Sequence, residues 1–206
     1  MIDYIDLTVS LNKKTPVYPG DPKLKISPVT TVANEGYFQS ELSLPTHVGT
    51  HIDAPSHLFK EGKLITNYAP KCFIGDGVLV DARGEKIIDR NLVMNLNIKP
   101  GNIVLFYTDH IENYFEDNYF TTGPQITQEV ANILVQKKVA MVGIDSHSID
   151  HNPYPVHKIL LDHDVLLIEN LTNLEKLLDK EEFTVVALPI KLALGGAPAR
   201  VIAITT

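Results

Sequence analysis

The sequence has one cysteine, no tryptophan, no cluster of basic residues and no long apolar segment. The single Cys72 excludes an internal disulfide framework and a cysteine-rich metal site, so histidine and carboxylate must hold any bound metal. Because 18 Lys and Arg stand against 25 Asp and Glu, a net charge of −7, the chain lacks the positive surface that binds nucleic acid. No apolar run approaches the ~20 residues that cross a bilayer, and the first residues do not resemble a secretory signal. We therefore expect a cytoplasmic protein with neither a nucleic-acid nor a membrane partner.

The composition is that of one compact domain. The chain has 206 residues, of which 44% are hydrophobic and 21% are charged. It contains no internal repeat and no Gly/Ser/Pro-rich linker that would separate two domains. A single domain over residues 1–206 is predicted.

The apolar pattern predicts more strand than helix. Short, nearly continuous apolar runs are typical of strands covered on both faces, and they occupy residues 77–81, 102–107, 139–144 and 165–168. Further strands are predicted at residues 4–9, 24–33, 38–44, 183–190 and 199–205. Helical spacing occurs over residues 89–96 and 125–138. The predicted fold class is α/β, with a mixed sheet or open barrel and flanking helices.

Three of the eight histidines lie with an aspartate inside residues 47–57. These four residues are His47, His51, Asp53 and His57. They differ by even steps, so an extended strand would project all four from one face, whereas a helix would separate Asp53 from His47. An irregular extended segment with turns at Gly49 and Pro55 is therefore predicted.

Imidazole nitrogen and carboxylate oxygen form a ligand set that suits zinc or manganese. We therefore predict that His47, His51 and Asp53 hold a divalent metal ion. His57 follows a proline turn, from which its side chain can approach the metal without binding it. That is the place for a residue that transfers a proton.

The pattern His-x-Gly-Thr-His-x-Asp-Ala-Pro-x-His at 47–57 is accompanied by other distinctive segments. They lie at residues 16–21, 39–43, 143–150, 157, 169–171 and 188–200. Together they resemble the metal-dependent cyclase/hydrolase superfamily, which contains bacterial kynurenine formamidase and isatin hydrolase. The resemblance covers nearly the whole chain. It implies a β/β/α domain of the swivelling type, usually a homodimer or larger homo-oligomer.

The resemblance also implies roles for individual residues. His47, His51 and Asp53 match the first metal site of the family. His157 and Glu169 match the residues that complete a second site sharing Asp53. His57 matches the catalytic histidine. The implied cofactor is zinc, two ions per chain, with manganese as the alternative.

Without the family pattern, the second site is open. Spacing alone does not choose His157 over the other histidines of this half, namely His110, His147, His151 and His163. Glu169 follows the apolar run 165–168, where a buried charge would need a cation, but on the sequence alone a surface glutamate at a strand end is the commoner case.

The function implied is a metal-dependent amidohydrolase that uses metal-activated water to cleave a small aryl formamide such as N-formylkynurenine. Ring opening of a cyclic amide, as in isatin hydrolase, is the alternative, and a non-catalytic metal-stabilised binding protein is a third. Members of the formamidase group often carry tryptophan in the Pro/Gly loop at 16–21, where this chain has Tyr18. Tyr18, Phe38 and Phe59 are the candidates for stacking on a small aromatic substrate.

Five other residues have weaker signals. Asp145 and Asp150 follow a buried strand, which favours a loop held by side-chain hydrogen bonds over another metal site. Gly195 and Gly196 fit a close approach to the substrate and a plain turn equally well. Arg200 could bind a substrate carboxylate, although a structural salt bridge is the commoner role.

Overall fold

The structure, a computed structural model, describes residues 2–205, which form twelve strands and three α-helices. The strands are β1 (Asp3–Asp6), β2 (Lys25–Thr30), β3 (Gln39–Ser43), β4 (His51–Asp53), β5 (Ile74–Asp81), β6 (Ile87–Ile88), β7 (Ile103–Tyr107), β8 (Gln125–Ile126), β9 (Met141–Ile144), β10 (Leu166–Glu169), β11 (Phe183–Pro189) and β12 (Gly196–Thr205). The helices are α1 (Val32–Glu35), α2 (Gln128–Gln136) and α3 (Pro155–Asp162). None of these helices is long and apolar enough to span a bilayer.

Seven strands close into a mixed, barrel-like sheet in the order β4, β12, β11, β5, β7, β9 and β10, with β10 pairing back to β4. The run from β5 through β7 and β9 to β10 is parallel, and the other pairs of the ring are antiparallel. Closure depends on the length of β12, whose first residues pair with β4 while the rest pairs with β11. The predicted strand-rich α/β fold is confirmed.

Two apolar cores lie on the two faces of this sheet. Along β7, Ile103 and Leu105 belong to the core inside the barrel, whereas Val104 and Phe106 belong to the core beneath the helices. This alternation follows from the two-residue period of a strand. Helices α2 and α3 cover the outer face because each has an apolar stripe that faces the second core. The barrel interior is therefore filled, and functional groups must lie outside it.

One helix prediction is wrong, and one helix was not predicted. Residues 89–96 form only a short 3₁₀ turn at Arg90–Leu92, because Asp89 accepts a hydrogen bond from Asn91 N and nothing extends the turn into an α-helix. Helix α3 was not predicted from the sequence. Pro155 occupies a first-turn position of this helix, where a proline is tolerated.

Candidate metal centre

Strand β4 places two of the predicted ligands side by side on the outer face of the barrel. His51 and Asp53 are two residues apart and share a face, while Ile52 between them points into the inner core. The strand is paired on both sides, with β10 and β12, so both ligands are buried. The antiparallel register sets His51 opposite Glu169.

The predicted extended segment is only partly correct. The strand covers three residues, and His47 and His57 lie outside it. Gly49 has a φ of +60°, a left-handed turn that brings His47 back beside the strand. Pro55 opens a 3₁₀ turn that ends at His57. The turns predicted at Gly49 and Pro55 are thus present, and they gather the four side chains.

The five predicted ligands form two groups that share Asp53. In the first group, His47 Nδ1 lies 2.6 Å and His51 Nε2 3.4 Å from Asp53 Oδ1. In the second, His157 Nε2 lies 3.2 Å from Glu169 Oε1 and 3.8 Å from Asp53 Oδ2. The potential ligand atoms in each group lie within 4.8 Å of one another. Asp53 therefore turns one oxygen towards each group.

In His51 and His157, the contact made by Nδ1 determines the tautomer of the ring. His51 Nδ1 lies 2.8 Å from the carbonyl oxygen of Gly49, and His157 Nδ1 lies 2.5 Å from Asp150 Oδ1. In a neutral imidazole, a ring nitrogen that donates to such an oxygen leaves the lone pair on Nε2, where a metal can bind. In both residues Nε2 faces the shared carboxylates.

The residues present fit a divalent cation. The carboxylates of Asp53 and Glu169 are both buried, and burying two negative charges together is costly without a counter-ion. His51 Nε2 and Glu169 Oε1 are enclosed without a hydrogen-bond partner, as expected of atoms meant for an ion. The mixed imidazole and carboxylate donor set suits zinc or manganese.

The pKa values of these groups reflect the same concentration of charge. Burial alone would lower the pKa of His51, but the carboxylates of Asp53 and Glu169 outweigh it and raise that pKa to about 9. Burial is likewise outweighed at His157, where Asp150 and Glu169 raise the pKa to about 10. Without a metal, protons on the two imidazoles take the place of the cations.

His57 lies against the first group. The centroid of its ring is 4.0 Å from that of His47 and 6.4 Å from that of His157. Burial lowers the pKa of His57, so its ring is neutral at pH 7 and able to accept a proton. The predicted place of His57, beside the ligands and not among them, matches this arrangement.

Gly195 and Gly196 bring the start of β12 close to the site. A Cβ on Gly195 would come within 2.6 Å of the backbone nitrogen of His57. A Cβ on Gly196 would overlap the ring of His47. The two glycines therefore make room for the histidines, a third reason for their presence beside the two considered from the sequence.

The predicted aromatic residues are spread out. Tyr18 packs edge-on against Phe120, with the ring centroids 5.7 Å apart. Phe38 is exposed just before β3, and Phe59 packs against the outer core. Sequence reasoning missed Tyr154, whose ring centroid lies 5.6 Å from that of His157. Its position next to Pro155 is the only signal that could have marked it.

The other histidines occupy different surroundings. His110 stacks on Tyr119 and contacts its carbonyl oxygen, and His147 stacks on His151. His163 is exposed and contacts the carbonyl oxygen of Ile159. Of the five histidines in this half, His157 is the one that faces Asp53.

Two of the weaker signals resolve as structural contacts. Asp145 accepts hydrogen bonds from the backbone of Thr108 and Asp109, as the loop interpretation predicts. Arg200 forms a two-pronged contact with Asp6, with both distances 2.9 Å, which is the expected salt bridge. Arg200 is thereby engaged at the surface.

Comparison with known proteins identifies the family. The "Putative cyclase" family model matches residues 5–151. A kynurenine formamidase of Bacillus mycoides is 25% identical over 205 residues, covering 97% of this chain and 96% of the relative. A solved structure described as a potential metal-dependent hydrolase with cyclase activity superposes with a TM-score of 0.83 at 28% identity, covering 100% and 99% of the two chains.

The fold is also that of a crystallised isatin hydrolase bound to the product analogue thioisatinate. That structure gives a TM-score of 0.88 at 21% identity and covers 99% of this chain and 92% of the other. The matched family model extends over most of the chain and includes the first group of ligands. The chain belongs to the cyclase family and is a metal-dependent hydrolase of that family.

Proposed function

We propose that the protein is an amidohydrolase that cleaves a small aryl formamide, such as N-formylkynurenine, at a centre holding two divalent ions. The observation that carries the proposal is the position of the His57 ring against His47, beside two ligand groups that share Asp53. Such a position suits a group that moves a proton during hydrolysis. Zinc, or manganese as its alternative, and a cytoplasmic location stay predictions.

A divalent ion held by these ligands supplies an activated water and an electrophile for the carbonyl oxygen. The chain's residues supply the rest. His57 takes a proton as the water oxygen adds to the formyl carbon, and then delivers that proton to the nitrogen. The C–N bond breaks as the nitrogen leaves as the neutral amine, and the products are the arylamine and formic acid, which loses its proton to give formate. Without this proton the nitrogen would be a poor leaving group.

The curated relative named kynurenine formamidase supports the choice of a formamide, at 25% identity over nearly the whole chain. The isatin hydrolase fold supports ring opening of a cyclic amide as the second candidate. In both reactions water attacks a carbonyl carbon and a C–N bond breaks, so the same centre fits either. Only the shape of the substrate distinguishes them.

A side-by-side assay tests the proposal. Protein supplied with zinc or with manganese is offered N-formylkynurenine, simple aryl formamides and isatin, and turnover of each is followed by absorbance. Faster hydrolysis of the formamides is expected, with loss of activity after chelation and recovery when metal is returned. Preference for isatin would support the second candidate. No hydrolysis of any amide, with chelation lowering only the melting temperature, would favour a metal-stabilised binding protein.

We also propose that the chain forms a homodimer through the hairpin made by β2, α1 and β3. No residue of these three elements is buried, and the side chains of Val32, in α1, and of Tyr37 and Phe38, between α1 and β3, are exposed. A two-stranded hairpin alone is marginally stable in water. Its apolar surface is therefore suited to pairing with another copy of the chain.

A further inference from the structure

Helix α3 begins without a cap of its own. The residue before it, Tyr154, has a φ of 59° and offers no side-chain hydrogen bond to the first turn. The backbone N–H of Val156 donates instead to Asp150 Oδ2, over 2.5 Å. Asp150 thus places a negative charge at the positive end of the helix from six residues upstream.

The other oxygen of the same carboxylate contacts a proposed ligand. Asp150 Oδ1 lies 2.5 Å from His157 Nδ1, in the first turn of α3. Asp150 is buried, with 2% of its surface exposed, so this contact is shielded from water. One side chain therefore fixes both the helix and the ring whose Nε2 faces Glu169 and Asp53.

The two ligand groups differ in this respect. His51 is held from behind by a neutral carbonyl, that of Gly49, whereas His157 is held by a carboxylate. A carboxylate behind a metal-binding histidine makes the imidazole a stronger donor and adds negative charge near the ion. The group of Asp53, His157 and Glu169 also contains two carboxylates, against one in the group of His47, His51 and Asp53.

We propose that Asp150 is a positioning residue that makes the Asp53, His157 and Glu169 group the tighter of the two cation sites, so that this group fills first. The inference rests on the proposed two-ion centre, but not on the identity of the substrate. Its test measures metal binding and is therefore independent of whether a formamide is hydrolysed.

The central variant is Asp150→Asn, which keeps the size of the side chain and removes its charge. Metal-free protein is titrated with Zn²⁺ in a calorimeter, and with Co²⁺ while the absorption spectrum is recorded. The wild type should bind a first equivalent more tightly than a second. We call binding of the first equivalent the tight phase and binding of the second the weak phase. In Asp150→Asn the affinity of the tight phase should fall by roughly 10- to 100-fold, the usual effect of losing such a partner, while that of the weak phase stays unchanged.

The matched control is Asp145→Asn. Asp145 is another buried carboxylate of the same loop region, but it accepts hydrogen bonds from Thr108 and Asp109 and contacts no proposed ligand. Both binding phases should survive in this variant, whatever its melting temperature. Equal weakening of both phases in Asp150→Asn, or a tight phase within threefold of wild type, would overturn the proposal.

His47→Ala tests the order of filling even if Asp150→Asn does not fold. His47 is the most exposed ligand of the first group, with a quarter of its side chain accessible, so its removal should leave the fold intact. This variant should lose the weak phase and keep the tight one. Loss of the tight phase in His47→Ala would show that the group of His47, His51 and Asp53 fills first and that the proposal is wrong.

Discussion

His57 is the side chain whose chemical role can be separated from metal binding. It touches His47 but belongs to neither ligand group. We expect His57→Asn to keep the metal content of the wild type and to lower turnover of an aryl formamide by roughly 10²- to 10⁴-fold, the usual contribution of proton transfer. Metal analysis and steady-state kinetics on the same preparation measure both quantities.

His163 offers a control for this substitution. It is exposed and contacts only a carbonyl of its own helix, that of Ile159. His163→Asn should leave both metal content and turnover unchanged. Unchanged turnover in His57→Asn would remove His57 from the mechanism, and loss of metal there would make it part of the centre itself.

Asp145 should give the folded protein a measurable pH dependence. Burial raises the pKa of Asp145 to about 6, although hydrogen bonds from Thr108 and Asp109 oppose the shift. Because the folded pKa lies above the ordinary value of about 3.9, the contribution of this group to stability is fully present below pH 4 and is lost as the pH rises through 6. The ionised Asp145 side chain therefore destabilises the folded protein at neutral pH.

Asparagine at this position cannot ionise, so the comparison isolates the effect. From pH 4 to pH 7, the free energy of unfolding of the wild type should fall by up to about 3 kcal/mol relative to that of Asp145→Asn. Urea unfolding at several pH values, with chelator in both samples, measures this difference. A difference that stays constant with pH would contradict the assignment.

At the scale of elements, the start of β12 and the loop before β4 depend on each other. The ring of His47 occupies the space where a side chain on Gly196 would begin. Gly196→Ala should displace His47 and weaken metal binding at the group it shares with His51 and Asp53, by about tenfold or more. Titration of the metal-free variant with Zn²⁺ tests this.

Ala197→Gly is the matching control, because it changes the next residue of the same strand. Ala197 belongs to the inner core, so this variant should lower stability without altering metal binding. If Gly196→Ala binds metal as the wild type does, the close approach of Gly196 to His47 is not required for metal binding, and the prediction is wrong.

Sequence patterns predicted the elements whose signals are local. The apolar runs became β5, β7, β9 and β10, and every residue of β7, β9 and β10 is buried, as expected of strands covered on both faces. The helix predicted over residues 89–96 does not form, because Asp89 and its neighbours satisfy their hydrogen bonds within a short turn. Helix α3 was not predicted, although proline is common at the first-turn position that Pro155 occupies.

The ligand groups show the same division. His47, His51 and Asp53 lie within seven positions, and two turns suffice to bring them together, so spacing pointed to them. His157 meets Asp53 only because the sheet closes and α3 packs beside β10. No spacing along the chain encodes that meeting, and it was the family resemblance that supplied His157.

At the scale of the whole molecule, the metal centre lies outside the barrel that holds the fold together. The inner core is filled by apolar residues, among them residues of β7, β9, β11 and β12, and it contains none of the five proposed ligands. We therefore expect chelated protein to stay folded but to unfold at a lower temperature. Binding to the folded state alone adds about 4 kcal/mol when free metal exceeds its dissociation constant 1,000-fold.

Circular dichroism during heating, with and without chelator, measures this change. Returning zinc or manganese should restore the higher midpoint, and magnesium, which prefers oxygen ligands, should restore it less. An unfolded spectrum after chelation at 25 °C would instead mean that the centre is needed for folding. An unchanged midpoint would mean that the two groups bind no metal under those conditions.

The oligomeric state expected in solution depends on the hairpin made by β2, α1 and β3. Tyr37 and Phe38 are more than half exposed at its end and belong to none of the buried core clusters of residues 2–205. If the hairpin pairs with a second chain, replacing both with serine should lower the mass measured by light scattering from that of a dimer towards 22.9 kDa, the mass of one chain. Tyr4→Ser removes a comparably exposed aromatic ring from β1, away from the hairpin, and should leave the mass unchanged. A wild type that is monomeric at every concentration would reject the hairpin as a dimer contact, because its apolar surface would then be stable in water by itself.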